Sequence, residues 1–362
     1  MPYIDRNISK RILMTGDYYK NSHPGGISAV VAYWSQHIEG LQYYPIYKSG
    51  GKLTKGWWFI TSYIRLALRM AFNKEALLVH QHTAADGSFK RNSQISRLCR
   101  FFGRKTIMHI HASRFKDFYN EASEKNKSKI LNTLKATDHI IVLSQSWKEW
   151  FERIGVDSER LTILHNITPE PTVIQEARKS DGKVRFLFMG EIGPRKGVFD
   201  TLRAISQHRK DAEGRMELII GGNRNEQMLL DTIRENHLEN IVRFEGWVSG
   251  EKKLRLLNET DVYILPSFNE GMPISILEAM SYGCPIISTP VGGIPEVVDK
   301  NGVLVTPGDA DQIWNAMDRY IKNPSLIESE GAQSLINVKP YLPDHVMNHL
   351  KGIYLQILDE KE

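Results

Sequence analysis

Residues 262–280 read Val-Tyr-Ile-Leu-Pro-Ser-Phe-Asn-Glu-Gly-Met-Pro-Ile-Ser-Ile-Leu-Glu-Ala-Met. Val262 to Pro266 is a short apolar run rich in strand formers, the pattern of a strand covered on both faces. Gly271-Met-Pro273 breaks that run, and from Ile274 onward the chain reads as a helix. Strand, turn and helix in this order are half of a βαβ unit, so the stretch predicts a parallel sheet packed between helices.

The same alternation runs outward in both directions. In the second half strands are predicted at Val184–Met189, Met216–Gly221, Ile241–Phe244, Val262–Pro266 and Pro285–Ser288. In the first half they are predicted at Arg11–Thr15, Leu77–Gln81, Thr106–His111, His139–Ser144 and Leu161–Leu164, with helical patterns between them. Asn166 to Gly182 separates the two series, carries Pro169 and Pro171 and little apolar content, and reads as a linker over 167–182. The expected class is α/β. Residues 1–166 and 183–340 each form a Rossmann-like, doubly wound domain facing a central cleft, and 341–362 form a helix packing back on the first. Ligands in such sheets bind beyond the carboxyl ends of strands, so functional residues are sought just after each strand.

The 362 residues, 41% hydrophobic and 25% charged, suit two soluble domains. Cys99 and Cys284 are the only cysteines, which excludes a disulfide framework and fits a reducing cytoplasm. The N-terminus carries no secretion-signal pattern, and no run approaches the ~18 apolar residues of a membrane span. The net charge of +5 hides an asymmetry: 27 Lys+Arg against 15 Asp+Glu in residues 1–180, and a net of −7 in the remainder. A basic half attracts nucleic acid, anionic lipid or a phosphorylated acceptor, or is simply solvated surface.

The chemistry concentrates at four places in the second half. Glu270 is expected in the turn and Glu278 one helical turn inside; carboxylates accept paired hydrogen bonds from sugar diols. The backbone N–H groups of Gly271, Met272 and Ile274, on either side of Pro273, lie at a helix start, where an anion is favoured. Met189-Gly-Glu-Ile-Gly-Pro-Arg195-Lys196-Gly197 follows a strand and opens a helix, and two cations there make a diphosphate site. Pro290-Val-Gly-Gly is a tight loop that either admits a ligand to the backbone or is purely structural. Val248, after Gly246-Trp, is placed to offer backbone to a base ring.

In the first half Gly25-Gly26 precedes a helix and allows close approach of a phosphate. His109 and His111 end one strand on the same face. An HxH pair can bind metal, but no cysteine or acidic third ligand lies nearby, so a satisfied structural role is the alternative. His80 and His82 end the preceding strand and read as packing or cleft-wall residues. Asp309-Ala-Asp311 is better read as a helix N-cap than as a metal motif. Gly221-Gly222 is no dinucleotide fingerprint.

Phe268-Asn-Glu-Gly-Met-Pro-Ile-Ser-Ile-Leu-Glu278, the Gly190–Gly197 loop and Pro290-Val-Gly-Gly-Ile-Pro-Glu296 with Asn301-Gly-Val-Leu-Val-Thr-Pro-Gly-Asp309 together resemble glycosyltransferase family 4, of the GT-B fold. The resemblance spans roughly residues 184–322. It implies a retaining transfer of a sugar from a nucleotide donor, a UDP- or GDP-sugar, with no cofactor and no metal. It places Glu270 on donor-sugar hydroxyls, Glu278 on the ribose and Arg195 with Lys196 on the diphosphate. Gly25 and Gly26 would face the donor phosphate, and His111 the donor sugar. Glu191 stands where the family often has arginine. His109–Ala122 and His82–Asn92 are similar to family members that build bacterial surface polysaccharides. That likeness implies a glycan acceptor, often lipid-linked, with Lys90, Arg91 and Arg114 candidates for its phosphates. The helical run Trp57–Phe72, with basic neighbours, is expected either as a core helix or as a contact with an anionic membrane on its cytoplasmic face. A sugar-nucleotide epimerase and a non-catalytic nucleic-acid binder are the alternatives. The latter lacks any recognisable module, so no nucleic-acid partner is expected.

Overall fold

The computed structural model describes residues 2–20, 26–111, 113–172 and 181–359. The chain divides into two compact units, residues 1–166 with 343–362, and residues 167–342. The first unit holds a six-stranded parallel sheet: β1 (Ile12–Asp17), β2 (Tyr43–Tyr47), β3 (Leu78–Thr83), β4 (Lys105–Ile110), β5 (His139–Val142) and β6 (Leu161–Ile163), in the order β2-β1-β3-β4-β5-β6. The second holds β7 (Val184–Met189), β8 (Met216–Gly221), β9 (Val242–Phe244), β10 (Val262–Leu265), β11 (Ile286–Ser288) and β12 (Gly302–Leu304), in the order β12-β11-β10-β7-β8-β9. Both are doubly wound, and the strand order reverses between β1 and β3 and between β7 and β10.

The long apolar strands are where the sequence predicts them, because helices cover both sheet faces and every residue of β7 is buried. Two strands were not predicted. β2 contains Pro45, which interrupts a strand pattern and is tolerated at a sheet edge. β12 has three residues and forms the far edge of the second sheet.

The helix Lys52–Phe72 departs from the core-helix expectation. Its buried side is Ser62, Leu66 and Met70, with Ser62 Oγ donating to Pro45 O at 2.6 Å. Ser62 is thus buried, whereas Arg65 and Arg69 are exposed. Leu53, Trp57, Ile60, Ile64, Leu68 and Phe72 are exposed and recur every three or four residues, so they line one face. The helix has two apolar sides, and only one meets the sheet.

Candidate active site

The second unit brings its two principal motifs together at the β7/β10 reversal. After β7 the chain passes through a short 3-10 turn, Pro194–Lys196, and Gly197 at φ +74° starts the helix Val198–Gln207. A Cβ on Gly197 would lie 2.1 Å from Pro266 O, so only glycine lets this loop close on the end of β10. Phe268 N donates to Arg195 O at 2.9 Å and ties the loops together.

Glu270 is buried in the turn after β10. Lys196 Nζ donates to Glu270 Oε1 at 2.6 Å, and Arg195 Nη1 lies 3.8 Å from the same oxygen while donating to Asn269 O at 2.9 Å. The sequence predicts both cations as exposed cleft residues; here the Lys196 side chain is 14% exposed and paired. A buried carboxylate is costly to leave without a partner, and these two cations partner it. Glu191, the departure from the family pattern, pairs with Arg224 at 3.0 Å, with Arg195 a further 3.9 Å neighbour.

The Pro290–Gly293 loop braces this turn. Gly292, at φ +58°, lies so close that a Cβ would stand 2.1 Å from Glu270 O, and Gly293 N donates to Gly271 O at 2.7 Å. Its close backbone approach is thus to the Glu270 turn. Gly271, Met272 and Pro273 are buried, and the helix Ile274–Ser281 follows with no side-chain cap. Glu278, on that helix, accepts from Lys253 Nζ at 2.5 Å. Sequence reasoning missed Lys253; it is one of two adjacent lysines on a helix, with nothing local to mark it. It also missed Ser267, whose Oγ is buried without a partner among the described residues. Val248 packs its side chain against Gly221, where a Cβ would lie 2.7 Å from Val248 Cγ2. Asp309 caps the helix Ala310–Lys322 by accepting from Gln312 N, as read from the sequence.

In the first unit Gly25 lies outside the described residues. Gly26 opens the helix Gly26–His37, and a Cβ there would meet nothing within 4 Å. Arg91 turns inward over the Tyr47 ring, 4.5 Å from its centroid, and faces Asp17 at the end of β1. Burial raises the Asp17 carboxyl above its usual range, and Arg91 opposes that shift. Lys90 and Arg114 are exposed. The three basic candidates thus split into one packed inward and two facing solvent.

His111 is half-buried just after β4. The register pairs His82 with His109 across β3 and β4, which sets His80, His82, His109 and His111 side by side. The third candidate ligand is neither a cysteine nor an acid but another histidine: one ring nitrogen from each of His80, His82 and His109 lies within 4.8 Å of the others. Burial holds all four rings neutral, with His80 and His111 pushed down to about 3 and His82 and His109 well below the usual range. Trp34 packs over His80, His82 and His109.

Two doubly wound units, one with cations and carboxylates gathered at a strand reversal, define the GT-B class of proteins. A family model for glycosyl transferases group 1 matches residues 170–336, and one for glycosyltransferase family 4 matches residues 28–168. On these adjoining matches the chain belongs to the family 4 glycosyltransferases. An uncharacterized glycosyltransferase of Methanocaldococcus jannaschii is 26% identical over 65% of this chain and 64% of its own. O-antigen chain mannosyltransferase B of Escherichia coli is 30% identical over 43% of this chain and 41% of its own. The chain thus spans about two-fifths to two-thirds of the length of these curated relatives. The structure of Anabaena HepE in complex with UDP and glucose superimposes with a TM-score of 0.73 at 17% identity, over 96% of this chain and 99% of that one.

Proposed function

We propose that the protein transfers a sugar from a UDP- or GDP-sugar, with retention of configuration, to a hydroxyl of a lipid-linked glycan acceptor in surface-polysaccharide synthesis. The observation that carries this reading is the Lys196–Glu270 pair at the β7/β10 reversal, with Arg195 beside it. Two diphosphate oxygens would compete with Glu270 for these cations and release its carboxylate to sugar hydroxyls. Departure of the nucleoside diphosphate is the step that needs charge stabilisation, and Arg195 with Lys196 supply it. The acceptor attacks on the same face, and the leaving phosphate oxygen takes its proton. The likeness to HepE, crystallised with UDP and glucose, supports the donor class, and the O-antigen relative supports the acceptor class.

A thermal-shift screen over UDP- and GDP-sugars followed by transfer to a lipid-linked acceptor tests this. One donor should raise Tm by mass action and support turnover in EDTA. Hydrolysis or epimerisation of donor without acceptor, or complete loss in EDTA restored by magnesium or manganese, would overturn the reading. Glu278 is assigned to the ribose, remote from the reacting carbon, so Glu278→Ala should raise donor KM, whereas Glu270→Ala should mainly lower kcat. Unchanged donor affinity in the Glu278 variant would defeat that assignment.

The exposed face of Lys52–Phe72 is assigned to the surface of an anionic bilayer, where a lipid-linked acceptor presents its reacting end. No helix among the described residues is long and apolar enough to cross a membrane. Trp57 and Phe72 are 71% and 85% exposed, and Lys52, Lys55, Arg65 and Arg69 on the same helix are exposed too. Apolar and basic residues on one helix suit the interface, each basic group adding roughly 1 kcal/mol near an anionic surface. Flotation with liposomes should rise with anionic lipid, fall with salt and drop sharply for Ile64→Glu. Negligible binding to neutral and anionic liposomes alike would sink this assignment, as would a lipid-free dimer abolished by Ile64→Glu.

A further inference from the structure

The histidine array contains more than His111 needs. Its ring nitrogens pair in two strings. His82 Nδ1 stands 2.9 Å from His111 Nε2. Tyr354 Oη stands 2.8 Å from His80 Nδ1, and His80 Nε2 stands 3.3 Å from His109 Nδ1. Two nitrogens, His82 Nε2 and His109 Nε2, are buried without a partner among the described residues.

A neutral imidazole has one N–H and one lone pair. An N–H buried unpaired is rarer than an acceptor left short of a donor. The orphaned Nε2 of His82 is therefore the lone pair, and its proton sits on Nδ1, donated to His111 Nε2. His111 must then carry its own proton on Nδ1, the nitrogen outside the array. The second string obeys the same rule. His109 donates from Nδ1 to His80 Nε2, and His80 donates from Nδ1 to Tyr354 Oη. All four rings reach the same tautomer with no buried N–H left unpaired.

We propose that the buried array locks His111 as the Nδ1–H tautomer, so that His111 meets the nucleotide sugar as a hydrogen-bond donor and never as a base, with His82 as its positioning residue. This rests on the transferase reading above. The only lone pair of His111 is taken up by His82, so nothing on the ring can accept a proton from an attacking hydroxyl. The atom His111 recognises is accordingly an oxygen with a free lone pair, on the sugar or the phosphate. This fits a reaction in which the leaving phosphate takes the acceptor proton.

Selective 15N-histidine labelling with long-range proton–nitrogen correlation reads the tautomers directly, the rings being assigned by replacing each histidine in turn. His111 is expected protonated at Nδ1, and His82→Leu should shift it toward a mixture of both forms. A proton on His111 Nε2 in the wild-type protein would overturn the proposal, as would a His111 signal indifferent to His82→Leu. So would stoichiometric movement of the His80, His82 and His109 signals on adding Zn2+, which would make the array a metal site. In turnover, His82→Leu should lower kcat ~10-fold with donor KM little changed, as expected for a misplaced group. His82→Asn, whose amide N–H can replace Nδ1–H, should recover most of it. Equal losses in both variants would reduce His82 to a packing residue and end its positioning role. If the wild-type protein turns over no nucleotide sugar, the transferase reading fails, while the tautomer assignment is still decided by the spectrum.

Discussion

Lys196→Ala is expected to lower turnover by on the order of 10²-fold or more, the effect of losing a charge that acts on the departing diphosphate. The pairing with Glu270 adds a second expectation. Removing Lys196 leaves a buried carboxylate whose nearest cation is Arg195 at 3.8 Å. Stability should therefore fall too, by roughly 1–3 kcal/mol, the cost of an under-partnered buried polar or charged group. Adding Glu270→Gln to Lys196→Ala removes the stranded charge and should restore much of the Tm without restoring turnover. That separation distinguishes a group acting on the ligand from one that only neutralises Glu270. Near-wild-type turnover in both Lys196→Ala and Arg195→Ala would remove the phosphate assignment.

Gly197→Ala should be strongly destabilising. An L-residue at φ +74° costs about 1–2 kcal/mol. The added carbon would also stand 2.1 Å from a backbone oxygen that no rotamer can move aside. Together these predict a loss of ~3 kcal/mol or more and a fall in Tm of about 10 °C. Turnover should fall with it, because the same contact holds the Arg195–Lys196 loop against the turn bearing Glu270. Gly26→Ala is the control: a Cβ there meets nothing within 4 Å, and its effect should stay within about 0.5 kcal/mol. A Gly197→Ala protein melting at the wild-type temperature would contradict the loop geometry.

The pattern of strand, turn and helix was legible because strands covered on both faces must be apolar along their whole length. Edge strands carry no such obligation, and so Pro45 hid β2. The Glu270 and Lys196 motifs were legible as motifs, but not as partners. They are 74 residues apart and meet only because β7 and β10 are neighbours. His80 and His82 were passed over for the same reason, since the register of β3 against β4 makes one group of residues 29 positions apart. The helix Lys52–Phe72 shows a different limit. Periodicity reveals that a helix has apolar faces; it does not say which of two will be covered.

The division of the chain has a consequence for the order in which the protein is made. Residues 167–342 are contiguous, so that unit has all its sequence once residue 342 is synthesised. The other unit draws on residues 1–166 and again on the helix Pro343–Asp359, whose Tyr354 reaches His80 and whose Ile357 carbonyl accepts from Lys105 Nζ. The half that leaves the ribosome first is thus the half completed last. During that interval it waits with the underside of its histidine array uncovered, and a nascent chain at this stage is the form most in need of a chaperone.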